Sequence, residues 1–151
     1  MIHVRPYIPS DREFVLGLVP RFACGIPPWR DSHRWLATSQ RRITEGIEQQ
    51  GQRDMVFVAE NEQGEQLGFA IVAHDTHFTG EPHAYLAELA TSQSAEGQGA
   101  GKALISACEQ WARDRGYPLL ALTVGAVNER ALGFYRHLGY LDDDIMLVKR
   151  L

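Results

Sequence analysis

Residues 96–102, Glu-Gly-Gln-Gly-Ala-Gly-Lys, set three alternate glycines between an apolar run and a helical one. Without a Cβ the backbone can turn sharply and approach a ligand closely, so several N–H groups can face one anion. The next segment, Lys102 to Trp111, has helical spacing, which puts those N–H groups at the positive end of a helix dipole. In outline this is a cradle for a pyrophosphate.

What the motif lacks narrows it. A triphosphate-binding P-loop needs a leading Gly and a Ser or Thr after the Lys to hold magnesium, and here those positions are Glu96 and Ala103. The dinucleotide fingerprint needs its third Gly three residues after the second, near the start of its domain. Here the third Gly follows after two, well along the chain. What remains resembles the Arg/Gln-x-x-Gly-x-Gly/Ala motif of the GNAT acyltransferase superfamily, which binds the pyrophosphate of acetyl-CoA without metal. Glu96 departs from it, since a carboxylate facing a diphosphate is repulsive. Either Glu96 swings away, leaving the amides and Lys102 to carry the charge, or affinity is reduced.

A second stretch, Val127 to Tyr140, is similar to the C-terminal signature of the same family: Asn128, Ala131, Phe134-Tyr135 and Gly139-Tyr140 at matching spacings. Independently of any family, Asn128 suits a helix N-cap and Gly139 the left-handed residue that ends a helix. The alternative is a plain amphipathic core helix burying Leu132, Phe134, Tyr135 and Leu138.

The 151 residues fit one domain, 1–151, with room for a sizeable core. With 44% apolar and 23% charged residues, the chain has an ordinary globular composition. No apolar run reaches membrane-spanning length, and Met1 to Pro6 lacks a signal-peptide core, so no membrane association and a cytoplasmic location are expected. A net charge of −4 with no basic block argues against nucleic-acid binding and tolerates a cationic acceptor. Cys24 and Cys108 are too few for a disulfide framework. Cys108 lies on the apolar stripe of its helix, whereas Cys24 falls in a loop with no activating neighbour.

The predicted order is β-α-α-β-β-β-α-β-α-β. Ile2 to Pro6 is a strand, Ser10-Asp11-Arg12-Glu13 a capping box for a helix to Pro20, and 22–29 a loop. Asp31 or Ser32 caps a second helix to about Gln50. Strands follow at Met55–Glu60, Leu67–Ala73 and Ala84–Ala90, then the glycine helix to Gly116, a strand Leu119–Val124, the Asn128 helix and a last strand, Ile145–Lys149. This is an α+β fold: a mixed, mostly antiparallel central sheet with about four helices. It is also the GNAT order, in which the strands flanking the glycine helix splay apart and admit the cofactor's pantetheine arm.

The resemblance implies an N-acetyltransferase that uses acetyl-CoA as co-substrate, with no metal, and transfers directly to a primary amine of a small molecule or peptide. Leu89, Ala90 and Thr91 would line the pantetheine arm. The amides of Gln98, Gly99, Ala100, Gly101 and Lys102 would receive the pyrophosphate. Asn128 would contact the arm or only cap its helix. Tyr135 matches the position of the acid that protonates the departing thiolate, and Glu88 is the candidate base. Because β-bulges redirect side chains, parity alone does not say which way Glu88 faces. His74, Asp75, His77, Glu81 and His83 form a polar concentration read as a solvated connection rather than a metal site. Asp142-Asp143-Asp144 reads as a polar turn, and Phe22, Trp29 and Trp35 could line an acceptor site or simply pack. A homodimer is possible, and a non-catalytic acyl-CoA-binding sensor or assembly module is the alternative function.

Overall fold

The structure, a computed structural model, describes residues 1–151. Its elements are β1 (His3–Pro6), α1 (Arg12–Gly17), α2 (Ser32–Glu48), β2 (Asp54–Glu60), β3 (Gln66–Thr76), β4 (Pro82–Thr91), α3 (Ala100–Asp114), β5 (Leu120–Leu122) and α4 (Glu129–His137), with short 3-10 turns at Pro9–Asp11, Val19–Gly25 and Gln93–Ala95. One sheet runs β1-β2-β3-β4-β5. The first three junctions are antiparallel and β4–β5 is parallel. The parallel pair needs a crossover, and α3 supplies it.

Alternation along the strands divides the core between two faces. Val72, Ala70 and Leu86 pack against Leu104, Ile105 and Cys108 of α3. Val56, Val58, Phe69 and Ile71 face the other way, onto Val15 of α1 and Ile43 of α2. Helix α2 starts where Asp31 accepts a hydrogen bond from the Arg34 amide at 2.8 Å, as an N-cap should.

Three expectations need correction. The capping box at Ser10–Glu13 does not form, because Ser10 lies inside the 3-10 turn Pro9–Asp11 and the buried Asp11, not Ser10, takes the N-cap position of α1 with no side-chain capping bond. Asp11 takes two bonds from Arg5 (2.8 and 2.9 Å), one from the Ile8 amide and one from Gln66. Burial opposes its charge, but these donors outweigh it and hold the carboxyl below the usual range. Helix α1 ends at Gly17 rather than Pro20, and the chain runs on as a 3-10 turn through Phe22, Ala23 and Cys24 where a loop was expected. Pro20 has no amide to continue the α-helical ladder.

The third correction is the last strand. Ile145–Lys149 is not a strand: no segment of the chain pairs with it, and Ile145, Met146 and Leu147 are exposed. A strand forms only by pairing, whatever its local pattern.

Candidate active site

β4 and β5 pair only at Ala84–Leu120, Tyr85–Ala121 and Leu86–Leu122. Beyond Leu122 the strand ends while β4 continues to Thr91, so the two part and leave the β4 edge from Ala87 onward without a strand partner. At the point of parting β4 carries a bulge. Ile71 of β3 is opposite Glu88 and Val72 is opposite Leu86, which leaves Ala87 as the extra residue.

The bulge reverses the facing of everything after it. Before it, Ala84 and Leu86 pack on the α3 side. After it, Ala90 packs on the α1/α2 side and Leu89 on the α3 side. Glu88 is therefore carried to the α2 face, where its carboxylate lies 3.7 Å from the Arg42 guanidinium. It is 8% exposed, and burial, only partly offset by Arg42, pushes its carboxyl up to about 7. Beside it opens a cleft of about 450 Å³ whose lining includes Arg42, Asp54, His74, Asp75, Tyr85 and Thr123.

On the other side of the gap stands Tyr135, from α4. Its ring meets Phe134 and Tyr140 edge-on at 5.2 and 5.7 Å, and its hydroxyl makes no hydrogen bond within the chain. Burial, with smaller contributions from Cys108 and Glu88, drives the phenol far above its usual value, so it is a protonated donor at any ordinary pH. Asn128 caps α4, accepting from the Ala131 amide at 3.2 Å.

The glycine loop closes the end of the gap. Gly99 adopts φ +90° and serves as the N-cap of α3. The amides of Gly99, Ala100, Gly101 and Lys102 have no hydrogen-bond partner in the chain. Gln98 differs, since its amide is spent on the Ala95 carbonyl at 3.2 Å and its side chain on the Ser94 carbonyl at 2.8 Å. These free amides, the parted strands and the positive end of α3 fit a diphosphate on a narrow arm.

Glu96 does swing aside. It binds Arg21 and, at 3.0 Å, Arg130, and these two hold its carboxyl below the usual range. Arg21 also donates to the Thr91 carbonyl at 3.1 Å. A close approach completes the rim: a Cβ on Gly125 would lie 2.5 Å from the Gly25 carbonyl oxygen, so the 3-10 turn sits directly on the loop between β5 and α4.

The arginines were missed by sequence reasoning, because Arg21, Arg42 and Arg130 carry no motif and their partners are remote in the chain. His74 bonds Tyr117 (2.7 Å), His77 bonds Thr79 (2.7 Å) and His83 bonds Asp75 (3.0 Å). His77 also comes near the C-terminal segment, where its ligand atoms and those of Asp143 and Asp144 lie within 4.8 Å of one another. Asp142 pairs with Arg136. Phe22 packs edge-on against Phe69 at 6.4 Å, Trp35 is half-buried and Trp29 is exposed.

Comparison with known proteins agrees with this geometry. Residues 21–140 match the Acetyltransferase (GNAT) family, and the chain belongs to it. No curated protein matches the sequence. Among solved structures, a transcriptional regulator from Bacillus halodurans superposes with TM-score 0.72 at 22% identity, covering 100% of both chains. An acetyltransferase of Trypanosoma brucei gives 0.68 at 21%, also over 100% of both. The glucosamine-6-phosphate N-acetyltransferase of Arabidopsis thaliana gives 0.69 at 17%, over 99% of this chain and 98% of the other. At these identities the likeness is one of fold. No helix is long and apolar enough to cross a membrane.

Proposed function

We propose that this chain is an N-acetyltransferase that moves an acetyl group from acetyl-CoA directly to a primary amine of a small molecule or peptide, without metal. The observation that carries the reading is the parting of β4 from β5 at the Ala87 bulge, with Glu88 on one side of the gap and Tyr135 on the other.

The residues divide the work. The amides of Gly99 to Lys102 bind the diphosphate, and the β4 edge left unpaired by β5 at Leu89, Ala90 and Thr91 lines the arm that leads to the reacting end. Bound acetyl-CoA supplies an activated acyl carbon. The acceptor enters through the cleft beside Arg42 and Asp75. An ammonium of pKa about 10 must lose a proton before its nitrogen can attack. Glu88, with a carboxyl near 7, takes that proton directly or through a water. As the C–N bond forms and the C–S bond breaks, Tyr135 donates its hydroxyl proton to the sulfur, and the second proton lost by the nitrogen as it becomes an amide restores the phenol, directly or through a water. Asn128 fixes the start of α4 and so the position of Tyr135.

The test is calorimetric titration with CoA paired with thiol release from acetyl-CoA across a panel of amines. Turnover on any amine, unchanged by chelator, supports the proposal. Binding without turnover on any amine would leave a non-catalytic acyl-CoA module, a reading that the fold shared with a transcriptional regulator keeps in play. Failure to bind CoA would overturn both.

A further inference from the structure

Arg42 is the charge that the proposed chemistry leaves unused. It comes from α2, lines the cleft with its side chain 45% exposed, and has one anionic partner in the chain, Glu88 at 3.7 Å. At that distance the pair is ionic without a hydrogen bond, so the planar fork of N–H donors stays available to a ligand. The acids that line the same cleft are engaged elsewhere. Asp54 holds the Arg53 guanidinium at 3.0 Å, Asp75 bonds His83 at 3.0 Å, and Glu45 faces Arg41 at 3.9 Å. Arg53 is a second cation in the lining and donates only through Nε. Two guanidinium groups in the cleft beside the base disfavour an acceptor with a second positive charge and suit one that carries a negative charge.

The proton transfer to Glu88 sharpens this. When Glu88 takes a proton from the acceptor ammonium it becomes neutral, and Arg42 loses its counter-charge. An anion carried by the acceptor restores it. Arg42 in turn disfavours the ammonium form of a nearby nitrogen, which favours the amine that attacks. The spacing selects the anion. Glu88 addresses the nitrogen, and Arg42, 3.7 Å from it, addresses the negative group. In an α-amino acid the nitrogen and the carboxylate oxygens are joined through one carbon and lie about 3 Å apart, which matches two neighbouring charges of opposite sign. A lysine side chain or the first residue of a peptide carries no carboxylate at that distance from its amine.

We propose that the acceptor is a free α-amino acid, its carboxylate held by Arg42 and its amine presented to Glu88, so that Arg42 sets the class of acceptor. This rests on the acetyl-transfer reading above and narrows its primary amine to one class of small molecule. The products are the N-acetyl amino acid and CoA, with the carboxylate unchanged.

The test compares initial rates with acetyl-CoA for the common amino acids, each beside its own amide, which keeps the amine and removes the negative charge. The best free acid should exceed its amide in kcat/KM by on the order of a hundredfold, the worth of a hydrogen bond to a charged group. The amine of the amide is the weaker base and loses its proton more easily, so amine basicity works against this preference. Arg42→Gln should reduce the acid-to-amide ratio by roughly tenfold or more. Its influence through Glu88 touches acid and amide alike and cancels in the ratio. Arg42→Lys, which keeps the charge, should retain most of the preference. Amides turned over as well as the acids, or a ratio that Arg42→Gln leaves unchanged, would overturn the proposal while acetyl transfer stood. Absence of turnover with every acid and every other amine would overturn both.

Discussion

Glu88 is costly where it stands. Its carboxyl titrates near 4.5 when exposed and near 7 when folded, a difference worth about 3 kcal/mol at 1.36 kcal/mol per unit. Because the folded value is the higher one, the folded protein binds more protons between these limits. The contribution to stability is therefore complete below pH 4.5 and is lost as pH rises through 7. Glu88→Gln should match the parent's melting temperature near pH 4.5 and exceed it at pH 8. A substitution that lowered stability at both would show that the Arg42 contact outweighs burial. The same titration should appear in catalysis as a rise in kcat/KM with an apparent pKa near 7, absent in Glu88→Gln. Tyr135 separates from it kinetically. Tyr135→Phe removes only a hydroxyl that bonds nothing in the chain, so CoA affinity should hold while kcat falls roughly ten- to a thousandfold. Unchanged turnover would make the hydroxyl structural.

At the scale of elements, the cradle depends on backbone more than on side chains. Gly101 lies in the first turn of α3 at an ordinary φ, and a Cβ there would sit 3.4 Å from Phe134. Gly101→Glu should therefore fold, as circular dichroism would show, yet lose CoA binding in titration, because a carboxylate would occupy the positive end of the helix. Gly99 is a poorer test, since φ +90° strains any other residue. The glycine loop, the Asn128 cap and strands β2 to β4 were legible because their signals are local: missing Cβ atoms, a capping side chain, alternation. The bulge at Ala87 was not, since it arises from the register of β4 on β3, and with it went the facing of Glu88. The partners of Glu96 were hidden for a similar reason, as Arg21 and Arg130 lie far from it in sequence and meet it only in the folded chain. Ile145–Lys149 shows the converse, a strand pattern that nothing in its own chain completes.

For the whole molecule, the distribution of burial divides the sheet unequally. Strands β2 to β4 hold both hydrophobic clusters, one against α3 and the other against α1 and α2, whereas β5 and α4 contribute only half-buried side chains such as Leu120, Leu122, Phe134 and Tyr135. Apolar burial sets the free energy of local opening, so the two parts should open separately. Amide hydrogen exchange should find the slowest amides in β2, β3, β4 and α3, exchanging by global unfolding, and those of β5 and α4 exchanging faster by a smaller opening. The proposed ligand contacts both parts, through the loop before α3 on one side and α4 on the other. A ligand that binds only the closed form stabilises it by RT ln(1 + [L]/Kd), about 2.7 kcal/mol at a hundred times Kd. Saturating CoA should therefore slow exchange in β5 and α4 by up to on the order of a hundredfold, with a smaller effect in amides already limited by other openings. Equal protection everywhere before CoA is added would mean that the sheet opens as one unit. Protection by CoA confined to the glycine loop would mean that the ligand does not bridge the gap to Tyr135.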